Sequence, residues 1–181
     1  MFDHPALAPI IETERLRLRG HRLEDFAASA AMWADPRVTR YIRPRPFTNE
    51  ESWARLLRYI GHWALLGFGY WVIEDKATGA FLGECGFANY KRAMQPPLGD
   101  TPEIGWALVP EAHGKGYATE AVRVVTVWGD AHFGKVRTAC IIDPQNVASI
   151  RVAEKNGYGQ ASFATYMGDQ VMVFSREGSQ R

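Results

Sequence analysis

A glycine-containing turn stands between a predicted strand and a predicted helix in residues 104–121. Gly114 and Gly116 allow the backbone to come close to a ligand with its amides pointing at it. The first turn of the following helix adds unpaired N–H groups and a partial positive charge, which together favour a diphosphate. The same pattern is common in plain turns, and the segment has neither the P-loop nor the dinucleotide-binding spacing of glycines. On the residues alone, a phosphate-binding loop and a plain turn both stay open.

A helix start is predicted further along the chain. Asn146 follows Asp143 and Pro144, where its side chain is a good helix N-cap. Ser149 lies on the same face of the predicted helix, one turn later. The residues alone give both side chains a structural role.

The elements that must position these residues follow from the hydrophobic period and the turn residues. Residues 15–19 alternate with period two, which predicts a strand with one exposed face. Thr48 and Glu51 form a capping box, which begins a helix whose apolar stripe we expect to lie in the core. That stripe comprises Trp53, Leu56, Leu57, Ile60 and Ala64. Further predicted helices span residues 23–34, 117–132 and 146–155, further strands span residues 70–74, 80–88, 101–109, 136–142, 162–166 and 170–175, and residues 91–100 form a loop.

The order of elements is therefore β-α-α-β-β-β-α-β-α-β-β. The strand–helix–strand units in the second half require crossover connections and a locally parallel pair, whereas the hairpins are antiparallel. We therefore predict a mixed α/β sheet with helices on both faces. The length of 181 residues fits a single domain over residues 1–181.

Composition limits the function classes. Net charge is +1, which gives no bulk attraction for a nucleic acid or an anionic membrane. Cys85 and Cys140 lie far apart, and we expect buried free thiols rather than a disulfide or a metal site. The start, Met1 to His4, lacks the regions of a signal peptide, and no apolar run is long enough to span a membrane. We therefore expect a cytoplasmic protein with neither a membrane nor a nucleic acid as a direct partner.

Two longer motifs carry a resemblance to a known family. Residues 113–118, HGKGYA, resemble the coenzyme A signature [QR]-x-x-G-x-[GA] of the GNAT superfamily of N-acetyltransferases, with His113 where glutamine or arginine is usual. Residues 146–158 resemble the second signature of the superfamily, N-x-x-S-x-x-V-x-x-K-x-G-[FY]. Residues 12–19 and 103–105 are similar to the RimJ/RimL-like branch, which acetylates ribosomal-protein N-termini. The resemblance covers the whole chain in order.

This resemblance implies the GNAT fold, a mixed, mostly antiparallel sheet of six or seven strands flanked by about four helices. It also implies a V-shaped split between the fourth and fifth strands, where a bulged strand parts from the next and pantetheine enters. One backbone N–H there is expected to face the thioester carbonyl and stabilise the developing oxyanion. The co-substrate implied is acetyl-CoA, and no metal is expected. The residues implied to bind it are Leu108, Val109, His113, Gly114, Lys115, Gly116, Tyr117, Ala118, Thr119, Asn146 and Ser149.

The resemblance also suggests an acid and a base. In many relatives a tyrosine seven residues after the asparagine protonates the departing thiolate, but here that position is Ala153. Ser149 is expected to take this role, directly or through water. Glu103 is expected to accept the proton of the amine through water, and Glu84 is the second candidate. All three also have plain structural interpretations. Direct transfer is expected, because neither cysteine has a histidine and an acidic partner nearby in the sequence.

The acceptor is expected to be a primary amine, most suitably a protein or peptide N-terminus. An α-amine has a pKa of about 7.7 against about 10.4 for lysine, so it needs less help from a base. We expect residues 33–47, residues 89–100 and the last hairpin to bind it. A small-molecule N-acetyltransferase (for an antibiotic, polyamine or metabolite) and a non-catalytic acyl-CoA-binding domain remain as alternatives. The protein is expected to be a monomer or a homodimer.

Overall fold

The computed structural model describes residues 8–179, so the interpretation of Met1 to His4 lies outside the described part. The strands are β1 (Ile11–Glu12), β2 (Leu16–Arg19), β3 (Tyr70–Asp75), β4 (Phe81–Ala88), β5 (Met94–Gln95), β6 (Glu103–Leu108), β7 (Thr138–Ile142), β8 (Gly159–Tyr166) and β9 (Asp169–Arg176). The helices are α1 (Phe26–Ala34), α2 (Pro36–Thr39), α3 (Asn49–Leu66), α4 (Tyr117–Phe133) and α5 (Val147–Lys155).

All nine described strands belong to one sheet, in the order β1-β2-β3-β4-β6-β7-β9-β8-β5. Every neighbouring pair is antiparallel except β6 with β7, which is parallel. The predicted mixed, mostly antiparallel sheet is therefore confirmed. The elements missed were β1 and β5, with two residues each, and α2, with four. Such short segments contain too few residues for a hydrophobic period to be recognised.

The split predicted in the sheet lies between β6 and β7. Their ladder contains one pair, Glu103 with Ala139, and the Ala139 N–H donates to the Pro102 carbonyl over 3.1 Å. Beyond this pair the two strands separate. The expected bulge is absent from the pairing of β6 with β4, because the register there is continuous from Gly83–Leu108 to Ala88–Glu103. The separation of the strands, rather than an extra residue, creates the gap.

Helix α3 has two apolar faces, and only one of them is buried. The capping box at its start is confirmed, with the Glu51 N–H donating to Thr48 Oγ1 over 3.2 Å. The buried face carries Leu56, Tyr59 and Trp63, and the outer face carries Trp53, Leu57 and Ile60, with 38%, 49% and 40% of their surface exposed. Ala64 is exposed as well, so the expectation that the whole stripe lies in the core is wrong for all of its members except Leu56. The helix turns its aromatic face to β3, where Tyr59 stacks on Tyr70 with ring centroids 4.5 Å apart.

The main core contains residues from the central strands and from α4 and α5. Its fully buried members include Trp71, Phe87, Val122 and Val125. Both cysteines are buried and free, as predicted. Within residues 8–179, no helix is long and apolar enough to cross a membrane.

Candidate active site

A cavity of about 1260 Å³ opens where β6 and β7 separate. The two strands contribute residues 103–106 and 140–142 to its wall, Asp143 follows directly after β7, and the start of α5 contributes Asn146 and Ser149. All three segments expected to bind the acceptor also line it, through Trp33 and residues 41–45, residues 90–93, and Tyr166 with Met167. The cavity therefore brings the predicted acid and base candidates Ser149 and Glu103 together with those segments.

The backbone of β6 presents alternate amides to this gap. The Val109 N–H donates to the Leu82 carbonyl over 3.0 Å, so this amide belongs to the ladder with β4. Because hydrogen-bonded and non-bonded positions alternate along an antiparallel pair, the N–H groups of Trp106 and Leu108 face the other way, toward β7. Of the two residues expected to provide an oxyanion donor, Leu108 therefore has the suitable orientation and Val109 does not.

Gly105, the residue before Trp106 on β6, makes room for a tyrosine. A Cβ atom at Gly105 would collide with the hydroxyl group of Tyr70. Tyr70 is buried on β3 and lines the cavity. Burial raises the pKa of its hydroxyl group well above the ordinary value, so Tyr70 is a neutral hydrogen-bonding group there.

The loop before α4 has the conformation of an anion-binding turn. Gly114 and Gly116 have φ angles of 73° and 82°, in the left-handed region that favours glycine. The first helical hydrogen bond of α4 runs from the Glu120 N–H to the Gly116 carbonyl. The three preceding amides, of Tyr117, Ala118 and Thr119, therefore have no acceptor within the helix. These amides and the helix dipole fit a diphosphate.

His113 and Lys115 belong to the same loop, and the contacts observed for them are with other parts of the protein. The His113 Nε2 donates to the Leu108 carbonyl over 2.9 Å, which links the end of β6 to the loop. Lys115 is exposed, and its carbonyl accepts a hydrogen bond from Arg15 Nη1 over 3.0 Å. Arg15 also pairs with Glu120 at 2.6 Å and lies over the ring of Tyr117. Arg15 was not predicted as a site residue, because its sequence context indicates only a strand.

Asn146 caps α5 as predicted. Its Oδ1 accepts a hydrogen bond from the Ser149 N–H over 3.1 Å, and both residues are half-buried at the cavity wall. The capping bond uses the backbone of Ser149, so its hydroxyl group remains available to a ligand. A ligand-binding role for either residue stays a prediction.

The carboxylate of Glu103 lies at the cavity wall, where β6 and β7 join. Both of its oxygens accept hydrogen bonds from Arg92, at 2.7 and 2.8 Å, and the side chain is 6% exposed. Arg92 also donates to the Tyr166 hydroxyl over 2.8 Å. Each carboxylate oxygen keeps a lone pair for water or for an amine. Glu103 is therefore placed where it can receive a proton, and Arg92 fixes its orientation.

Glu84, the second base candidate, has a different environment. It is fully buried below α1 and does not line the cavity. It accepts hydrogen bonds from Ser29 Oγ at 2.6 Å and Trp33 Nε1 at 2.9 Å, and His21 Nε2 lies 3.4 Å away. Burial alone would raise the pKa of Glu84, but these partners together hold it below the ordinary value. The arrangement is that of an anion that anchors α1 to the sheet.

The two thiols are unsuited to nucleophilic attack. Cys140 lines the cavity and Cys85 does not. Burial raises the pKa of both thiols well above the ordinary value, so both are protonated near neutral pH. This agrees with the expectation of direct transfer. No cluster of metal-ligating side chains occurs within residues 8–179.

The comparisons with known proteins identify the family. The model of the family described as acetyltransferase (GNAT) domain matches residues 15–159. The chain is 38% identical to the uncharacterized protein YkkB of Bacillus subtilis, over 91% of this chain and 94% of that protein. It is 33% identical to the uncharacterized N-acetyltransferase p20 of Bacillus licheniformis, over 77% and 76%. The chain belongs to the GNAT acetyltransferases, and the predicted fold and enzyme class are confirmed.

Solved structures agree with this fold. A GnaT-family acetyltransferase from Bordetella pertussis has a TM-score of 0.81 at 26% identity, over 93% of this chain and 99% of that one. The ribosomal-protein-S5-alanine acetyltransferase of Vibrio fischeri has a TM-score of 0.75 at 21% identity, over 94% and 97%. The spermidine N-acetyltransferase of Vibrio cholerae, in complex with CoA and spermine, has 0.71 at 16%, over 92% and 97%. The ribosomal-protein branch is therefore one of several neighbours.

Proposed function

We propose that this protein transfers an acetyl group from acetyl-CoA directly to the α-amine of a peptide or protein N-terminus. We also propose that residues 1–181 form a single acetyltransferase domain. The observation that carries the proposal is the cavity at the split of the sheet. It joins residues 103–106 of β6, the start of α5 and a wall made of the three segments expected to bind the acceptor. Such a wall suits an extended acceptor that enters amine first.

Acetyl-CoA would supply the activated acetyl group as a thioester. The amides of residues 113–119 would hold its diphosphate, and the Leu108 N–H would donate to the thioester carbonyl. The fit rests on the left-handed glycines, the free amides at the start of α4 and the outward N–H groups of β6. No side chain of the loop is needed for this contact, so the replacement of the usual glutamine or arginine by His113 is compatible with it.

Two proton movements accompany the transfer. The amine nitrogen forms its bond to the acetyl carbon as the bond from that carbon to sulfur breaks, and the nitrogen loses one proton. Glu103 would accept this proton through water, with Arg92 holding the carboxylate. The departing sulfur would take a proton from the hydroxyl group of Ser149, directly or through water, and the serine would regain a proton from solvent.

The ionisation of the acceptor supports an α-amine. At a given neutral pH, an α-amine has roughly 10²–10³ times more of its neutral form than a lysine side chain. A site whose carboxylate is already engaged with arginine favours the acceptor that needs less deprotonation. The basic side chains of the cavity also repel a polyamine, which weighs against spermidine as an acceptor.

A matched pair of peptides tests the proposal. One has a free α-amine and no lysine, and the other has a blocked α-amine and one lysine. We expect release of free thiol from acetyl-CoA with the first peptide and much slower release with the second. Faster reaction at the lysine, or acetylation of an aminoglycoside or polyamine ahead of both peptides, would contradict the proposed acceptor.

A further inference from the structure

Basic side chains outnumber acidic side chains at the cavity wall, with six basic residues and three acidic residues. The basic residues are Arg43, Arg45, Arg55, Arg58, Lys91 and Arg92, and the acidic residues are Glu51, Glu103 and Asp143. Glu51 pairs with both Arg43 and Arg45, and Glu103 pairs with Arg92. The cavity therefore keeps a positive charge after its own ion pairs are formed.

Arg55 is the most constrained of the arginines left without a carboxylate. Its Cζ lies 4.0 Å from the ring centroid of Trp33 and 4.5 Å from that of Phe47, so two aromatic residues hold the guanidinium group. Nη1 donates to the Tyr59 hydroxyl over 3.1 Å. Nε is buried and has no acceptor among the described residues. The guanidinium group is thus held in place, but only some of its N–H donors have a hydrogen-bond acceptor.

Binding an anion would stabilise a buried arginine that has unpaired N–H donors. Guanidinium keeps its charge at any physiological pH, so Arg55 cannot relieve its burial by losing a proton. An ionic group removed from water without a counter-ion is costly. The two buried glutamates are both engaged elsewhere, Glu84 with Ser29 and Trp33 and Glu103 with Arg92. The free donors of Arg55 therefore match a planar anion delivered by a ligand in the cavity.

We infer that Arg55 binds a carboxylate that the acceptor carries next to its reactive amine, so that the preferred substrate is an acidic peptide N-terminus. The inference rests on the proposed function and deepens it, because the same cavity receives the amine. Contacts with the rings of Trp33 and Phe47 hold the guanidinium group in place, and the surplus of positive charge attracts the acidic peptide.

Three short peptides with the same first residue test the inference. The first has glutamate at the second position and an amidated C-terminus, the second has glutamine there with the same amide, and the third has glutamine with a free C-terminal carboxylate. We expect the wild-type protein to favour the glutamate peptide over its glutamine counterpart about tenfold in kcat/KM, mainly through KM. A gain for the third peptide instead would assign the α-carboxylate as the anion that Arg55 binds.

Variants separate recognition from folding. In Arg55→Gln the preference for the carboxylate disappears and the rates on the three peptides become similar, while the thermal shift by acetyl-CoA persists. Arg55→Lys keeps the charge without the planar fork and retains an intermediate preference. Arg137→Gln removes a charge from an exposed position outside the cavity wall and outside the three acceptor-binding segments, and its preference stays that of the wild type.

The outcomes distinguish the two proposals. Equal rates on all three peptides with the wild-type protein would overturn the role of Arg55 and leave the N-terminal acceptor intact. A preference that survives in Arg55→Gln would also overturn that role. Acetylation of none of the peptides would overturn the acceptor class itself, and the inference with it.

Discussion

The Arg15 guanidinium group donates from Nη1 to the Lys115 carbonyl oxygen over 3.0 Å, and this bond links the residue before strand β2 to the loop that starts α4. The same guanidinium group forms an ion pair with Glu120 at 2.6 Å, one turn into the helix. Arg15 thereby connects two points of the loop that carries the proposed diphosphate site. Arg15, which is distant in sequence from the glycine-containing loop, therefore helps to hold the conformation of that loop.

We expect Arg15→Gln to weaken acetyl-CoA binding about tenfold, which corresponds to ~1.4 kcal/mol. The loop loses its bond at Lys115 and its ion pair, so its amides are held less firmly. Titration calorimetry with acetyl-CoA measures the change. Arg17→Gln is the matched control, because Arg17 lies two residues further along the chain, on β2, and pairs with Glu12 instead. Equal affinity in both variants would show that the Arg15 contacts do not support the loop.

Replacement of both Gly114 and Gly116 by valine should abolish the increase in melting temperature caused by acetyl-CoA. A side chain in the left-handed region costs about 1–2 kcal/mol per residue, so the loop would shift to relieve the strain. Gly79→Val is the control, because Gly79 has a similar φ of 73° in the β3–β4 turn. This control should lower the melting temperature and keep the shift. Persistent binding in the double variant with an unchanged circular dichroism spectrum would contradict the loop assignment.

Ser149→Ala should lower kcat by about 10²-fold and leave the affinity for acetyl-CoA nearly unchanged, if its hydroxyl group stabilises the leaving thiolate. The backbone N–H that Asn146 caps is retained in this variant, so the helix should keep its start. Single-turnover kinetics and calorimetry measure the two effects separately. Equal losses in binding and in turnover would assign Ser149 to pantetheine contact instead.

Glu103→Gln should shift the acidic limb of the pH–rate profile and reduce kcat/KM, because the amide cannot accept the proton of the amine. Arg92→Gln is the informative comparison, since it removes the partner of Glu103 and keeps the carboxylate. Identical profiles in the two variants would mean that Glu103 serves only to hold Arg92. An unaltered profile in Glu103→Gln would exclude it as the base.

Glu84→Gln should reduce the free energy of unfolding at pH 7 by about 1–3 kcal/mol, because an amide cannot accept hydrogen bonds at both positions from Ser29 and Trp33. The folded-state pKa of Glu84 is lowered, so its contribution is complete above the unfolded pKa of about 4.3 and is lost as the pH falls through the folded value. The difference between wild type and variant should therefore narrow below about pH 4.

Urea unfolding at pH 7 and pH 3 measures this difference. Glu14→Gln, at an exposed position, is the control and should change stability by less than about 0.5 kcal/mol at either pH. A difference for Glu84→Gln that stays constant or grows at low pH would contradict the assignment of Glu84 as a buried anion.

Much of the fold was predictable because its signals are local. The period of residues 15–19, the capping box at Thr48 and the glycines at 114 and 116 each define a strand, a helix start or a turn by themselves. Residues 33–47, residues 89–100 and the last hairpin were expected near the acceptor, and all three segments contribute to the cavity wall. The fold class followed from the order of these elements together with the two motifs.

The parts that were missed depend on tertiary packing. Helix α3 was predicted correctly, but its buried face was not. That face is determined by aromatic contacts with Tyr70 and Trp71, which lie on β3, outside the sequence pattern of the helix. Glu84 and Glu103 look alike in the sequence, as acidic residues on neighbouring strands. Only the sheet register and the covering helix separate one that is enclosed under α1 from one that reaches the cavity.

The single pair that joins β6 and β7 has a consequence for how the sequence can vary. Past Glu103 and Ala139, the outward N–H groups of β6 are spaced as they would be for a neighbouring strand. Pantetheine contains two amide groups, so in the proposed complex it takes the place of that strand. Because pantetheine would bind to the main chain of β6, its recognition would not depend on the side chains of Trp106 and Leu108. The chain can therefore exchange side chains to suit a new acceptor while its acetyl donor stays the same.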